Sequence, residues 1–228
     1  MIKQIVFYIF LSLSLFSQIV EIQKVENEKV FFQHQNGLKT GMTGIVIHKV
    51  SEKYESIIAY VSILENGVGK IFQFTTLAQE NLPHGKWTPE SGDKIRFHEN
   101  YERSVLLTRN FDSYIKTTRQ KDENWIHPDI FAVTLNSVGH KSPLLGDFQY
   151  FCREHSIGKI YIQLDTELKV ADCLSMREID SFPLTFNGET EKPFYSRVKE
   201  IDANWFGEGK EEIGDFETYY KSLLEREH

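Results

Sequence analysis

Tryptophan, proline and cysteine are all scarce in this chain, with three, six and two copies among 228 residues. A structural zinc site takes four ligands spaced closely in pairs, and no second pair accompanies Cys152 and His155. Cys152, His155 and Cys173 together would supply only three. Basic residues are in deficit as well, 26 against 33 acidic, for a net charge of −7. A nucleic-acid partner, whose phosphates call for a basic footprint, is therefore not expected. The cluster Lys116, Arg119 and Lys121 does not alter this, because Asp122 and Glu123 follow at once, as on a solvated mixed-charge face. Internal repeats, low-complexity tracts and coiled-coil heptads are absent too.

Catalytic signatures are equally hard to find. Gly67-Val68-Gly69-Lys70 lacks the spacing of a phosphate-binding loop, and Ile71 stands where a magnesium-holding hydroxyl would be needed. The histidines at 34, 48, 84, 98, 127 and 140 form no HExxH or other metal spacing. Glu208, Glu211, Glu212, Asp215 and Glu217 lack the alternating ladder and glycine of a calcium loop. No Gly-x-Ser-x-Gly elbow surrounds Ser137 or any other serine. The expectation is a binding or structural protein, not an enzyme, with no cofactor and no metal.

What is there begins at the N-terminus. Lys3 precedes an apolar run from Ile5 to Phe16, which Gln18 and Glu21 end before it reaches the roughly 20 residues of a membrane span. That is the layout of a secretory signal peptide covering residues 1–17, cleaved after the small residue Ser17; an uncleaved N-terminal anchor is the alternative. The first cysteine is Cys152, so lipidation at the junction is not expected. Cleavage would remove Lys3, make the balance one unit more negative and leave no integral span. The address is then outside the cytoplasm, in the periplasm or at the cell surface. There an oxidising environment permits a Cys152–Cys173 disulfide with no thiol left over. A loop of that size contributes roughly 3 kcal/mol through the unfolded state, and the bond would consume the thiol that a Cys152–His155 nucleophilic dyad needs.

The period of the hydrophobic pattern changes near residue 100. Ile45-Val46-Ile47, Ser56 to Leu64, Val68 to Phe74 and Lys94 to His98 read as strands, with Asn66-Gly67 as a tight hairpin turn. Asn81 to Asp93 is turn-rich, holding Pro83, Gly85, Pro89 and Gly92. Helical spacing follows. One helix contains Phe111, Tyr114, Ile115 and Thr118 behind an Asn110 cap; another contains Phe131, Leu135 and Val138 after Pro128; a third contains Leu144, Phe148, Phe151 and Cys152. Strands at Lys159 to Leu164 and Leu168 to Leu174 come next. Last is an amphipathic helix with Phe216, Tyr219, Tyr220, Leu223 and Leu224 on one stripe, capped by Asp215. The fold class is therefore α+β. A small antiparallel β-barrel-like domain over 18–100 precedes an α/β domain over 101–228.

Certain segments also carry an ordered resemblance: Asn66-Gly67-Val68, Leu82-Pro83 leading to Gly92-Asp93, Cys152 and Cys173 around Gly158-Lys159-Ile160-Tyr161-Ile162, and Pro193-Phe194-Tyr195-Ser196-Arg197-Val198 with Ile201-Asp202. From about Gly41 to Tyr220 the chain resembles the N-terminal region of the bacterial plasminogen-binding protein PgbA family. The resemblance implies an exported, surface-associated protein whose partner is host plasminogen. Family members carry a Lys/Glu-rich tail ending in lysine, whose ammonium and terminal carboxylate form a spaced zwitterion for kringle domains. The sequence here stops at Leu224-Glu225-Arg226-Glu227-His228. Lys221 and Glu225, four apart on the last helix, are the expected internal substitute. The alternative is a periplasmic structural or assembly protein that docks another envelope protein and has no host ligand.

Overall fold

A computed structural model describes residues 18–73, 87–98, 101–202, 204–205 and 207–225. The expected signal peptide, together with Leu82, Pro83 and Gly85 of the turn-rich stretch, lies outside the described residues. The first half is a closed antiparallel barrel of β1 (Gln18–Glu26), β2 (Lys29–Phe32), β3 (Thr43–Lys49), β4 (Glu55–Glu65), β5 (Val68–Gln73) and β6 (Lys94–Phe97). Around the ring the order is β1-β2-β5-β4-β3-β6, and β6 closes it by pairing with both β1 and β3. Closure leaves no unpaired edge of the kind an open sheet presents. Val20, Ile22, Val30, Phe32, Val46, Val61, Ile63, Ile95 and Phe97 are all buried in one cluster. In the β4–β5 hairpin Gly67 takes φ +93°. A side chain at Gly69 would meet Val61 Cγ1 at 2.3 Å, so the glycine there serves close strand packing, not a phosphate.

The second half is built on a five-stranded mixed sheet in the order β11-β10-β9-β7-β8. Its strands are β7 (Arg103–Leu107), β8 (Asn124–Ile126), β9 (Lys159–Gln163), β10 (Glu167–Asp172) and β11 (Glu178–Pro183). β7 is parallel to β8 and β9, whereas β10 runs antiparallel to β9 and β11. The connections carry α1 (Phe111–Gln120), α2 (Pro128–Val138) and α3 (Leu145–Glu154), and α4 (Phe216–Leu224) follows the last strand. The caps are those the sequence predicts at two helices: Asn110 accepts from the Ser113 N–H and Asp215 from the Thr218 N–H. Pro128 occupies the first turn of α2. Phe131 of α2 packs between Phe148 and Phe151 of α3, each 4.7 Å away between ring centres.

Alternation along the sheet sends Val105, Leu107, Ile160 and Ile162 into the helix-side cluster, and Leu106, Tyr161, Leu168 and Val170 into the cluster that includes the barrel interior. The barrel contributes Ile45, Ile47 and Tyr60 to the helix-side cluster in turn. A side-chain network joins the halves at Asp172, which is fully buried. Its Oδ2 accepts from the Thr43 N–H (2.9 Å), the Thr43 hydroxyl (2.8 Å) and the Tyr101 hydroxyl (2.7 Å). Its Oδ1 accepts from the N–H groups of Leu174 and Ser175, both at 3.0 Å. Nearby, Cys152 is bonded to Cys173, one residue past β10, with the Cα atoms 5.7 Å apart. Both thiols of the set Cys152, His155 and Cys173 are therefore consumed, which leaves neither a zinc site nor a nucleophile there.

Candidate binding site

The segment Pro193–Val198 threads between three helices, and most of it is used to hold them together. Phe194 is buried and stacks on Phe131 of α2, with ring centres 5.5 Å apart and planes within 7°. The Pro193 carbonyl accepts a hydrogen bond from the Tyr220 hydroxyl of α4 at 2.9 Å. The Tyr195 N–H donates to Thr108 O at 2.7 Å, and the Tyr195 ring packs on Phe111 and Tyr114 of α1. Ser196 and Arg197 then turn to Asp129 at the start of α2. The Ser196 hydroxyl and the Arg197 N–H reach Oδ1 at 3.0 and 2.8 Å, and Arg197 Nε reaches Oδ2 at 2.6 Å. Burial would raise the Asp129 carboxyl, but these donors outweigh it and hold the group below its usual range. Farther along, the Asp202 N–H donates to Asn136 Oδ1 and the Asn204 side chain to Val138 O, both at 2.8 Å, so the segment follows α2 from end to end.

Beside this segment lies an open cleft of about 580 Å³. Its walls mix signs: Lys192, Arg197 and Lys199 face Glu191, Glu200 and Glu212. Lys192 Nζ is engaged with the Gly214 carbonyl and Arg197 with Asp129, whereas Lys199 is exposed. Phe194 and Ile201, both buried, add apolar surface to the lining.

Of the sequence-predicted pair, Lys221 lies in the last turn of α4 and Glu225 at its C-terminal cap. The ion pair that the structure gives Lys221 is with Glu217 Oε1, at 2.8 Å, one turn toward the N-terminus. The reason was legible: Glu217–Lys221 places glutamate before lysine at i,i+4, the favoured orientation, while Lys221–Glu225 is the reverse. Glu225 instead caps the helix, its N–H donating to Lys221 O. The hydrogen bond and charge of Glu217 lift the Lys221 ammonium above its ordinary range, so it stays charged. Glu217 is itself tied inward. Its Oε2 accepts from Arg109 Nη2 at 2.7 Å and from the Asp165 N–H at 2.8 Å. Arg109 pairs through Nη1 with Asp165 at 2.6 Å and lies between the rings of Phe186 and Phe216, at 4.7 and 4.8 Å. The links that Arg109 makes to Asp165 and Glu217, and Asp129 to Ser196 and Arg197, carry no local sequence signal, because each spans more than fifty residues.

A second polar cluster sits at the β8 side of the sheet. Glu123 accepts from Lys159 Nζ (2.7 Å), the Tyr161 hydroxyl (2.6 Å) and the Ser104 hydroxyl (2.9 Å). Burial opposes its ionisation, yet the three donors keep its carboxyl below the ordinary range. Side chains able to hold a metal ion converge elsewhere, on the barrel rim.

Comparison with known sequences puts this geometry in context. The profile of the family described as "Plasminogen-binding protein pgbA N-terminal" matches residues 17–224. Two curated relatives named plasminogen-binding protein PgbA, from Helicobacter pylori strains J99 and 26695, are each 30% identical over 203 residues. The match covers 83% of this chain and 43% of each relative, so the chain spans less than half the length of the curated relatives it matches. No solved structure matches.

Proposed function

Because the chain belongs to the PgbA N-terminal family, we propose that it is an exported, envelope- or surface-located binding protein whose partner is plasminogen. One observation carries this reading: the family match runs over residues 17–224, and the relatives it leads to are named for plasminogen binding. The chemistry at the C-terminal face fits. A lysine-seeking domain recognises an ammonium with a carboxylate at a set spacing, through complementary charges. Lys221 has carboxylates one turn away on both sides, Glu217 and Glu225, and its side chain is 47% exposed. Lys199, which lines the cleft beside Pro193–Val198, supplies a second exposed ammonium.

Surface plasmon resonance with immobilised plasminogen tests the reading. Binding is expected to be saturable, competed by a free lysine analogue and weakened in Lys221→Ala. No binding by the folded protein overturns the assignment of plasminogen and favours an envelope assembly role. Binding that survives Lys221→Ala removes Lys221 as the contact. Export is tested separately: the mature N-terminus recovered from the producing cell is expected to begin at Gln18, in the envelope fraction.

A further inference from the structure

The barrel rim carries a convergence that no sequence spacing announces. His48 lies near the end of β3, and β3 pairs with β6 so that Ile47 faces Lys94. Asp93, just before Lys94, therefore falls beside His48, and the turn leading into β6 adds Glu90. His48 Nδ1 is 2.8 Å from Asp93 Oδ1 and 3.9 Å from Glu90 Oε1. One ligand atom from each of the three lies within 4.8 Å of the others. The turn is held in place by its own backbone and by β1. The Glu90 N–H donates to Asp93 Oδ2 at 3.0 Å and the Asp93 N–H to Glu90 O at 3.2 Å. Gly92 N–H donates to Ile22 O at 2.9 Å, the Ile22 N–H to Asp93 O at 2.8 Å, and the Ser91 hydroxyl to Gln23 O at 3.0 Å.

We propose that His48, Glu90 and Asp93 form a binding site for a divalent transition-metal cation of the zinc class. Ligand atoms about 2.0–2.1 Å from a tetrahedral ion sit roughly 3.3 Å from one another. The two His48 separations fall on either side of that value, so small side-chain adjustments admit the ion. One imidazole nitrogen with two carboxylates suits zinc and its neighbours, whereas calcium takes six to eight oxygen ligands. The two carboxylates match the charge of the ion. The site is walled on one side and open on the other: Asp93 and His48 side chains are 5% and 17% exposed and Glu90 68%, which leaves room for entry and for a fourth, water ligand. On binding, His48 Nδ1 offers its lone pair to the metal and carries its ring proton on Nε2, so the Nδ1–Asp93 hydrogen bond gives way to two metal bonds. The ion would then tie β3 to the turn that enters β6, at the seam where the barrel closes. Trp87 stacks on the His48 ring at 6.2 Å and supplies an optical reporter.

The test is calorimetric titration of the purified full chain with zinc chloride in a non-chelating buffer, followed in parallel by tryptophan fluorescence. Saturable one-to-one binding is expected, undisturbed by excess calcium. His48→Ala and Glu90→Gln should each weaken it by at least about tenfold. Glu90 is exposed, so Glu90→Gln leaves the fold intact and isolates the loss of a ligand. Absence of saturable binding by the wild-type protein, or wild-type affinity in either variant, overturns the proposal.

Discussion

Tyr101→Phe removes one oxygen from the junction between barrel and sheet and nothing else. The ring remains, stacked on His98 with centres 4.7 Å apart, so no cavity larger than a hydroxyl is left. What is lost is a hydrogen bond to a buried carboxylate, 2.7 Å long, one of five that Asp172 accepts. Hydrogen bonds to charged groups contribute about 1.5–3 kcal/mol each. For a chain of this size a loss of about 2 kcal/mol lowers Tm by roughly 4–8 °C. Urea unfolding at neutral pH, with the m-value checked for constancy, measures the deficit. The pH dependence gives a second, independent signature. Burial pushes the Asp172 carboxyl above its ordinary range while its donors pull it back, so deleting a donor raises it further. A folded-state pKa above the unfolded value favours the folded protein in acid, and that advantage disappears as pH rises through the folded pKa. The deficit of Tyr101→Phe relative to wild type is therefore greatest at neutral pH and narrows toward about pH 4. A deficit below about 0.5 kcal/mol, or one that stays constant from pH 7 to 4, would refute Asp172 as an ionised hub.

Arg109→Lys keeps the charge but loses the planar group that fits between Phe186 and Phe216 while reaching both Asp165 and Glu217. It should destabilise by about 2–4 kcal/mol in urea, and a loss under 1 kcal/mol would show that the slot does not need a guanidinium. Glu123 has its carboxyl held low, so its contribution is present above the unfolded value near pH 4.3 and is lost as pH falls through the folded one. The gap between wild type and Glu123→Gln should accordingly shrink in acid-titrated thermal melts between about pH 5 and 3. Paired replacement of Cys152 and Cys173 by alanine should cost roughly 3 kcal/mol in the absence of reductant, since the bond closes a 21-residue separation. If wild type in excess dithiothreitol and the double variant melt well apart, the loop-closure account is wrong.

The sequence discloses elements whose residues answer to local rules, and hides those decided by distant partners. Asn66-Gly67 and the alternation of Lys94 to Phe97 identify their strands because turn geometry and a half-exposed face leave a pattern of period two. The stripe on α4 identifies that helix just as directly, with Phe216, Tyr220 and Leu223 buried. The β1–β2 hairpin is harder to see. Its turn puts Asn27 and Glu28 at φ 50° and 61° with no glycine in either position, and a glutamate there gives no turn signal. β7 escapes for another reason. Ser104 to Leu107 is buried throughout because the strand is covered on both faces, so the alternation that marks a surface strand is missing. The rim cluster is hidden by distance, with His48 separated from Glu90 and Asp93 by more than forty residues and brought beside them by the pairing of β3 with β6.

The same division between local and distant separates what identifies this family from what would bind its partner. Pro193, Phe194 and Tyr195, which carry much of the resemblance, are buried, and Ser196 and Arg197 are both turned onto Asp129. These residues hold α1, α2 and α4 in register, and only the Arg197 side chain among them is largely exposed. Replacing Phe194 with alanine would empty the stack on Phe131 at a cost of about 3–5 kcal/mol, and any binding it abolished would be lost through unfolding. Under the proposed function, recognition would fall to exposed groups beside the motif, namely Lys199 of the cleft wall and Lys221 on α4. Both lysines are exposed. Variants at these two positions are therefore the ones in which a change of affinity at constant Tm reports on the contact itself.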